Sequence, residues 1–336
     1  MKVTIFETEN WEEAALRQRL SNHDLRCSVN ALNENTAAAY ADSQVISTFI
    51  ASTLNDRVLE LFPSLKLIVT RSVGFDHIDL KYCHDHNVTV CNIPDYGDYT
   101  VAEHTFALLL AINRRIVAAV EHSREGKFDH ESLRGVELRG KTLGVIGTGR
   151  IGLRAIEIAK GFGMIIVAHD VRPNIEAARS IGFRYLGLDE LLASADFVTL
   201  HLPETAASHH LLSDREFLLM KPGAVLINTA RGTIVDTEAL VRALATGRVS
   251  AAGLDVLPQE PMIGDEAQIF RSDHKDAVDF RALVADHVLL NHPNVLVTPH
   301  NAYNTIEAMH RILESSMTII EAFANGKPQN VVHVAA

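Results

Sequence analysis

The chain has 336 residues, with 31 Lys+Arg against 42 Asp+Glu and a formal net charge of −11 at pH 7. Such an acidic balance argues against a nucleic-acid or anionic-membrane surface as the principal partner. With 47% hydrophobic and 22% charged residues the composition is globular, which excludes disordered, collagenous and disulfide-scaffold classes, and the length suits two domains of roughly 100–200 residues.

The longest apolar stretches, such as Phe106–Ile112, fall well short of the ~20 residues that cross a bilayer. The first residues, Met1-Lys-Val-Thr-Ile-Phe-Glu, alternate like a strand and meet acids where a secretory signal needs an apolar core, so a cytoplasmic protein is expected. Three cysteines, Cys27, Cys83 and Cys91, lack C-x-x-C spacing and read as reduced structural thiols.

In chain order, β-type runs at Val3–Phe6, Val45–Ile50, Leu67–Thr70 and Val88–Cys91 alternate with helix-like stretches, the grammar of parallel βαβ units. Thr100 and Glu103 stand in capping-box spacing before Phe106–Ile112, which predicts a helix from near residue 100 towards Val120. The polar stretch Ser123–Gly140 reads as a connection between domains. A second alternating series follows, with strands expected at Thr142–Ile146, Ile165–His169, Phe197–Leu202, Ala224–Asn228, Ala251–Val256 and Val295–Thr298, and with it a doubly wound sheet. After Pro299, Ile306, Met309, Ile312, Met317, Ile320 and Phe323 recur on a helical repeat, so Asn304–Gly326 is expected to form an amphipathic helix returning to the first domain.

Gly147-Thr-Gly149-Arg-Ile-Gly152 matches G-x-G-x-x-G directly after one predicted strand and before a helix, Leu153–Lys160. Gly147 suits the tight turn, Gly149 the close approach of backbone amides to a pyrophosphate, and Gly152 the packing of helix on strand. The next strand ends at Asp170, eighteen residues beyond Gly152, the separation expected of a carboxylate holding a ribose 2′-OH. That carboxylate would repel a 2′-phosphate and favours NAD over NADP, an inference that Arg172 weakens because an Arg there can pair with a phosphate.

Ligands of open α/β sheets bind at the carboxyl ends of strands. There the sequence puts Arg231 after Ala224–Asn228, Glu260 after Ala251–Val256, and His300 after Val295–Thr298. Hydride transfer from a dinucleotide to a carbonyl leaves an alkoxide that needs a proton, and a carboxylate beside that carbonyl needs a cation. Arg231 offers a planar fork of donors, His300 a pKa near neutrality, and Glu260 a partner that favours the protonated ring and fixes its orientation.

This ordered set, with Val73-Gly-Phe-Asp-His-Ile-Asp79, Val101-Ala-Glu103, the glycine motif and Asn228-Thr-Ala-Arg-Gly232, resembles the D-isomer-specific 2-hydroxyacid dehydrogenases over nearly the whole chain. The resemblance implies two doubly wound parallel-sheet α/β domains, a Rossmann NAD-binding domain (100–300) and a flavodoxin-like substrate domain (1–99 with 301–336), with a cleft between them. It implies NAD as cofactor, with Arg231, Glu260 and His300 catalytic. Arg150 and Ile151 would touch the pyrophosphate, Leu202 and Pro203 would pass under the adenosine, and Thr229, Ala230 and Asp255 would line the nicotinamide end. Thr100 would either reach the cofactor or act as a cap. Backbone amides at Val73 and Gly74 would receive the substrate carboxylate.

Within the family the local likeness is to the D-lactate dehydrogenase branch, which places aromatics such as Tyr96 and Tyr303 over the substrate side chain. Reduction of pyruvate to D-lactate is therefore expected, with glyoxylate or hydroxypyruvate reduction as the alternative. A non-enzymatic rival is an NAD(H)-sensing protein like the corepressor relatives, which also keep the Arg, Glu and His; the chain lacks their Pro/Ser-rich partner-recruiting tails. The helix after Thr100 resembles the element through which relatives form homodimers. Forty positions separate Glu260 from His300, more than in many relatives, and the charged stretch Met262–His287 reads as solvated surface in preference to a helical elaboration near the cleft. His209-His210 and His84-Asp-His86 lack further ligands at metal-binding spacing, so no metal is expected.

Overall fold

Strands such as Val45-Ile-Ser-Thr48 and Phe197-Val-Thr-Leu200 bury every residue, the pattern of parallel sheets covered on both faces by helices. The computed structural model describes residues 1–260 and 279–332. It holds two such sheets, one in each of two units: Met1–Gly97 with the chain from Thr305 onward, and Asp98–Asn304.

In the first unit β1 (Lys2–Ile5), β2 (Asp24–Cys27), β3 (Val45–Thr48), β4 (Leu67–Thr70) and β5 (Thr89–Cys91) are parallel in the order β2-β1-β3-β4-β5. The predicted runs coincide with four of these. The edge strand β2, Asp-Leu-Arg-Cys, has no fully buried residue and no apolar run to betray it. The helix Ile306–Ala324, capped by Thr305, buries Ile312, Met317 and Ile320 and belongs to this unit, as its apolar repeat anticipates. Beneath the carboxyl ends of β1 and β4, Arg71 is 2% exposed; Nη1 donates to Glu12 Oε1 at 2.8 Å, and Nη2 donates to the Phe6 and Glu7 carbonyls at 2.7 and 2.6 Å.

In the second unit β6 (Thr142–Ile146), β7 (Ile165–His169), β8 (Arg184–Tyr185), β9 (Phe197–Leu200), β10 (Ala224–Asn228), β11 (Val249–Leu254) and β12 (Val295–Val297) run parallel in the order β12-β11-β10-β9-β6-β7-β8. The strand order reverses between β6 and β9, and the carboxyl ends beside that reversal are where ligands of such sheets bind. The six predicted strands are present; the two-residue edge strand β8 was too short to read.

Four local expectations are corrected. The helix begins at Asp98, so Thr100 lies inside its first turn with a buried side chain and is not a cap. It stops at Asn113, and a second helix, Ile116–Arg124, follows after Arg115 takes φ +48°. Ser123–Gly140 does not connect domains; it lies within the second unit, where the Val136 carbonyl accepts from Asn113 Nδ2 at 2.6 Å. Of the charged stretch Met262–His287, residues 262–278 lie outside the described residues. From Asp279, which caps it, the chain forms a helix, Phe280–Leu290, that buries Leu283, Ala285, Asp286 and Leu289 and leaves Phe280, Val284 and Val288 exposed; this part is a helix with one packed face and not wholly solvated surface. Among the described residues no helix is long and apolar enough to cross a membrane.

Because the Arg71–Glu12 pair is out of water, removing one charge strands the other. Glu12→Gln is expected to cost about 3–5 kcal/mol in urea unfolding, and the double replacement Glu12→Leu with Arg71→Met less than that single change.

Candidate active site

The loop after β6 is built from glycines of two kinds. Gly147 has φ +92°, and a Cβ there would sit 2.3 Å from the His201 carbonyl oxygen; a Cβ on Gly152 would sit 2.0 Å from the Gly147 carbonyl oxygen. These two are glycine because backbone passes against backbone. At Gly149 nothing among the described residues lies within 4 Å of a Cβ, and as N-cap of the helix Arg150–Gly161 it brings no side chain to the first amides. The helix N-terminus thus opens onto space beside Gly149, and the first amides of any helix lack acceptors within it, which fits the pyrophosphate of a dinucleotide.

At the end of β7, Asp170 Oδ2 accepts from the Thr148 N–H at 2.6 Å and the Thr148 hydroxyl at 2.9 Å, while Oδ1 accepts from the Arg172 N–H at 2.8 Å. Burial pushes this carboxyl up, but the hydrogen bonds from Arg172 and Thr148 outweigh it and hold it below the usual carboxylate range. The Arg172 side chain is exposed. Arg150 Nε meets Asp98 Oδ2 at 2.8 Å. Ile151 and Leu202 are half-buried and Pro203 exposed, its carbonyl accepting from Ser208 Oγ at 2.7 Å. Behind Gly147 stands His201, which sequence reasoning passed over; burial pushes its imidazole down to about 4, so it is neutral at physiological pH.

The loops after β10, β11 and β12 bring Arg231, Glu260 and His300 together around a cavity of about 160 Å³ within the second unit. His300 Nδ1 lies 2.9 Å from Glu260 Oε2; a carboxylate only accepts, so Nδ1 carries the proton and Nε2 is left for another partner. Glu260 Oε1 accepts from the Leu257 N–H at 2.8 Å. His300 itself has φ +48°, an uncommon conformation for a residue with a Cβ that persists only where surroundings enforce it. The enforcement is visible: its N–H donates to the Asp255 and Thr298 carbonyls at 2.9 Å, and the Asn301 and Ala302 N–H groups donate to the Asp255 carboxylate at 2.8 Å.

Asp255 has no exposed side-chain surface. Burial pushes it up, yet His104, the Thr298 hydroxyl and the two amides hold it below the usual carboxylate range. Arg231 Nη1 donates to the Ala230 carbonyl at 2.8 Å, and Asn228 closes the turn that carries it, accepting from the Ala230 N–H at 3.0 Å and donating to the Arg231 carbonyl at 2.9 Å. Thr229 is buried, 3.0 Å from the Thr105 hydroxyl. A Cβ on Gly232 would lie 2.2 Å from the Leu257 carbonyl carbon, so this glycine lets the Arg231 loop press against the loop leading to Glu260.

Among the remaining residues, Thr100 is buried in the second unit and Tyr303 half-buried. In the first unit Val73 is exposed and its carbonyl accepts from Asn92 Nδ2 at 2.8 Å; Gly74 accepts from Ser72 Oγ at 2.5 Å; Tyr96 is buried, its carbonyl accepting from Arg311 Nε at 2.9 Å. Among the described residues no group of three His, Cys, Asp or Glu could hold a metal. His104 and Thr105 escape a reading based on motif ends because their partners are tertiary.

An open helix N-terminus beside a His–Glu pair and an arginine is the equipment of a dinucleotide-dependent oxidoreductase. Residues 106–302 match the family described as "D-isomer specific 2-hydroxyacid dehydrogenase, NAD binding domain". A D-lactate dehydrogenase of Aquifex aeolicus, solved with NAD and lactic acid, superposes with a TM-score of 0.88 at 35% identity, covering 100% of both chains. The D-lactate dehydrogenase of Escherichia coli is 32% identical over 97% of this chain and 98% of its own. A glyoxylate reductase of Thermococcus litoralis is 36% identical over 85% and 82%. The chain belongs to the D-isomer-specific 2-hydroxyacid dehydrogenases, NAD-dependent oxidoreductases, and is similar to their D-lactate dehydrogenases.

Two expected outcomes follow from this geometry. Gly232→Ala should lower kcat/KM by about 10²-fold, because the displaced loop carries Arg231 out of register, while NADH binding followed by fluorescence changes little. Asp286 is fully buried and accepts from the Gln259 N–H at 3.2 Å, and burial pushes its carboxyl up to about 6 from an ordinary value of 3.8. The folded state therefore holds this proton more tightly than the unfolded one, and stability falls as pH rises through that window. Asp286→Asn should raise Tm at pH 7–8, with the gain vanishing as pH drops below about 4.

Proposed function

We propose that this enzyme reduces a small 2-keto acid to the D-2-hydroxy acid, with pyruvate to D-lactate as its reaction. The observation that carries the reading is the His300–Glu260 pair facing the same cavity as Arg231. His300 holds a proton on Nε2 and delivers it to the substrate carbonyl oxygen. Glu260 keeps Nδ1 protonated and orients the ring. Arg231 grips the carboxylate with its fork of donors.

NADH, when bound, supplies the hydride. Gly147, Gly149, Arg150, Ile151 and Gly152 would hold its pyrophosphate. Asp170, kept charged by Thr148 and Arg172, would accept from the ribose. Leu202, Pro203, Thr229, Ala230, Asp255 and Thr100 complete the cofactor set by resemblance. Val73, Gly74, Tyr96 and Tyr303 are assigned to the substrate on the same ground.

Pyruvate is favoured by the full-length likeness to an enzyme solved with lactic acid. Glyoxylate is the second reading, favoured by the reductase relative. A homodimer belongs to the same proposal. The run Phe106–Ile112 is largely spent inside the chain, but Ile116, Val117 and Val120 on the next helix are exposed and Phe128 is 82% exposed, an apolar surface of the kind that a second copy covers.

The test is NADH oxidation at 340 nm with pyruvate, 2-ketobutyrate, phenylpyruvate, oxaloacetate, hydroxypyruvate and glyoxylate, followed by chiral analysis. Pyruvate should give the highest kcat/KM and a D product; a preference for glyoxylate would replace it. His300→Ala should lower kcat by about 10²–10⁴-fold, and an unchanged rate would remove His300 from the acid role.

A further inference from the structure

Two neighbouring residues of the helix Asp98–Asn113 reach two different site loops. His104 Nε2 lies 3.0 Å from Thr298 Oγ1 and 3.3 Å from Asp255 Oδ1. Thr105 Oγ1 lies 3.0 Å from Thr229 Oγ1. Proton bookkeeping gives each contact a direction. Thr298 donates its one hydroxyl proton to Asp255, so its oxygen accepts from His104, which must carry its proton on Nε2. Thr105 donates to the Val101 carbonyl at 2.9 Å, so Thr229 donates to Thr105.

Through these bonds one rigid helix grips the Asp255–Thr298 support that forces His300 into its left-handed conformation. It also grips the turn that runs from Thr229 to Arg231. The helix sits low enough to do so because β11 has Gly253 beneath it, where a Cβ would be 2.9 Å from Ile112 Cδ1 and 3.1 Å from Leu108 Cβ. Successive helix positions point about 100° apart, so His104 and Thr105 diverge towards the two loops from a single backbone.

We propose that His104 and Thr105 are positioning residues that set the spacing between His300 and Arg231, His104 through Asp255 and Thr298, Thr105 through Thr229. Neither touches the reacting atoms. The inference rests on the roles proposed for His300 and Arg231.

Their effects separate by kinetic constant. Loosening the His300 loop impairs proton delivery and falls on kcat, whereas loosening the Arg231 turn weakens the grip on the carboxylate and falls on the keto-acid KM.

Steady-state kinetics of the full chain, with NADH and the best keto acid of the panel, tests this with His104→Leu, His104→Gln, Thr105→Val, Thr105→Ser and His300→Ala. His104→Leu should lower kcat about 10- to 100-fold, the scale of a sub-ångström to ångström misplacement, with the KM for NADH little changed. His104→Gln, whose amide nitrogen reaches the Nε2 position, should recover most of that loss. Thr105→Val should raise the keto-acid KM about 10-fold, and Thr105→Ser should restore it.

Equal behaviour of the Leu and Gln variants, or losses that follow Tm with kcat and KM intact, would overturn the proposal. Should His104→Leu not fold, His104→Asn, whose amide falls short, replaces it, and equal kcat for Asn and Gln counts against the proposal. Wild-type kcat in His300→Ala would instead remove the reading on which the inference stands. An inactive His300→Ala with a fully active His104→Leu would remove the inference alone.

Discussion

The arrangement of the site depends on one buried charge. Asp255 leaves the end of β11 with no solvent to stabilise its carboxylate, and the Thr298 hydroxyl, two successive backbone amides and His104 take the place of water. Satisfying that charge bends the chain after β12 into the conformation that presents His300. The same device recurs on neighbouring strands. Asn228, the last residue of β10, closes the turn that carries Arg231, and Asp170, just past β7, ties together Thr148 and Arg172. In each case a polar side chain at a strand end satisfies amides that would otherwise lack partners, and the loop is fixed as a by-product.

The glycines divide along the same line. Gly147, Gly152, Gly232 and Gly253 lie where a methyl group would collide with atoms of this chain, whereas Gly149 faces open space. The first four are demanded by the fold and by the approach of loops to one another. At the last, no atom of the described protein stands in the way of a side chain.

Much of this was legible in the residues. Strands that bury both faces are continuous apolar runs, and ten were visible as such; the glycine loop, Asp170, Arg231, Glu260 and His300 stand at their ends because that is where an open α/β sheet puts its chemistry. What escaped was what depends on distant partners. β2 and β8 are edge strands of four and two residues, paired on one side. The Thr100–Glu103 spacing imitates a cap, but the helix already begins at Asp98 and Thr100 lies buried inside its first turn. Ser123–Gly140 has the composition of a linker, yet Asn113 holds Val136. His104 is one of 17 histidines, and its partner Thr298 is 194 residues away, beyond any local pattern.

The chain order of the two units bears on biosynthesis. The unit that begins with Met1 takes up the helix Ile306–Ala324, so its core stays incomplete until the last of roughly two hundred intervening residues has left the ribosome. At about 5–20 residues per second, β4 waits ten seconds or more for the helix that packs on it, while the intervening unit, continuous in sequence, emerges whole. Vectorial synthesis therefore makes the nucleotide-binding unit the first able to finish folding, and the unit of the first sheet the last to close its core.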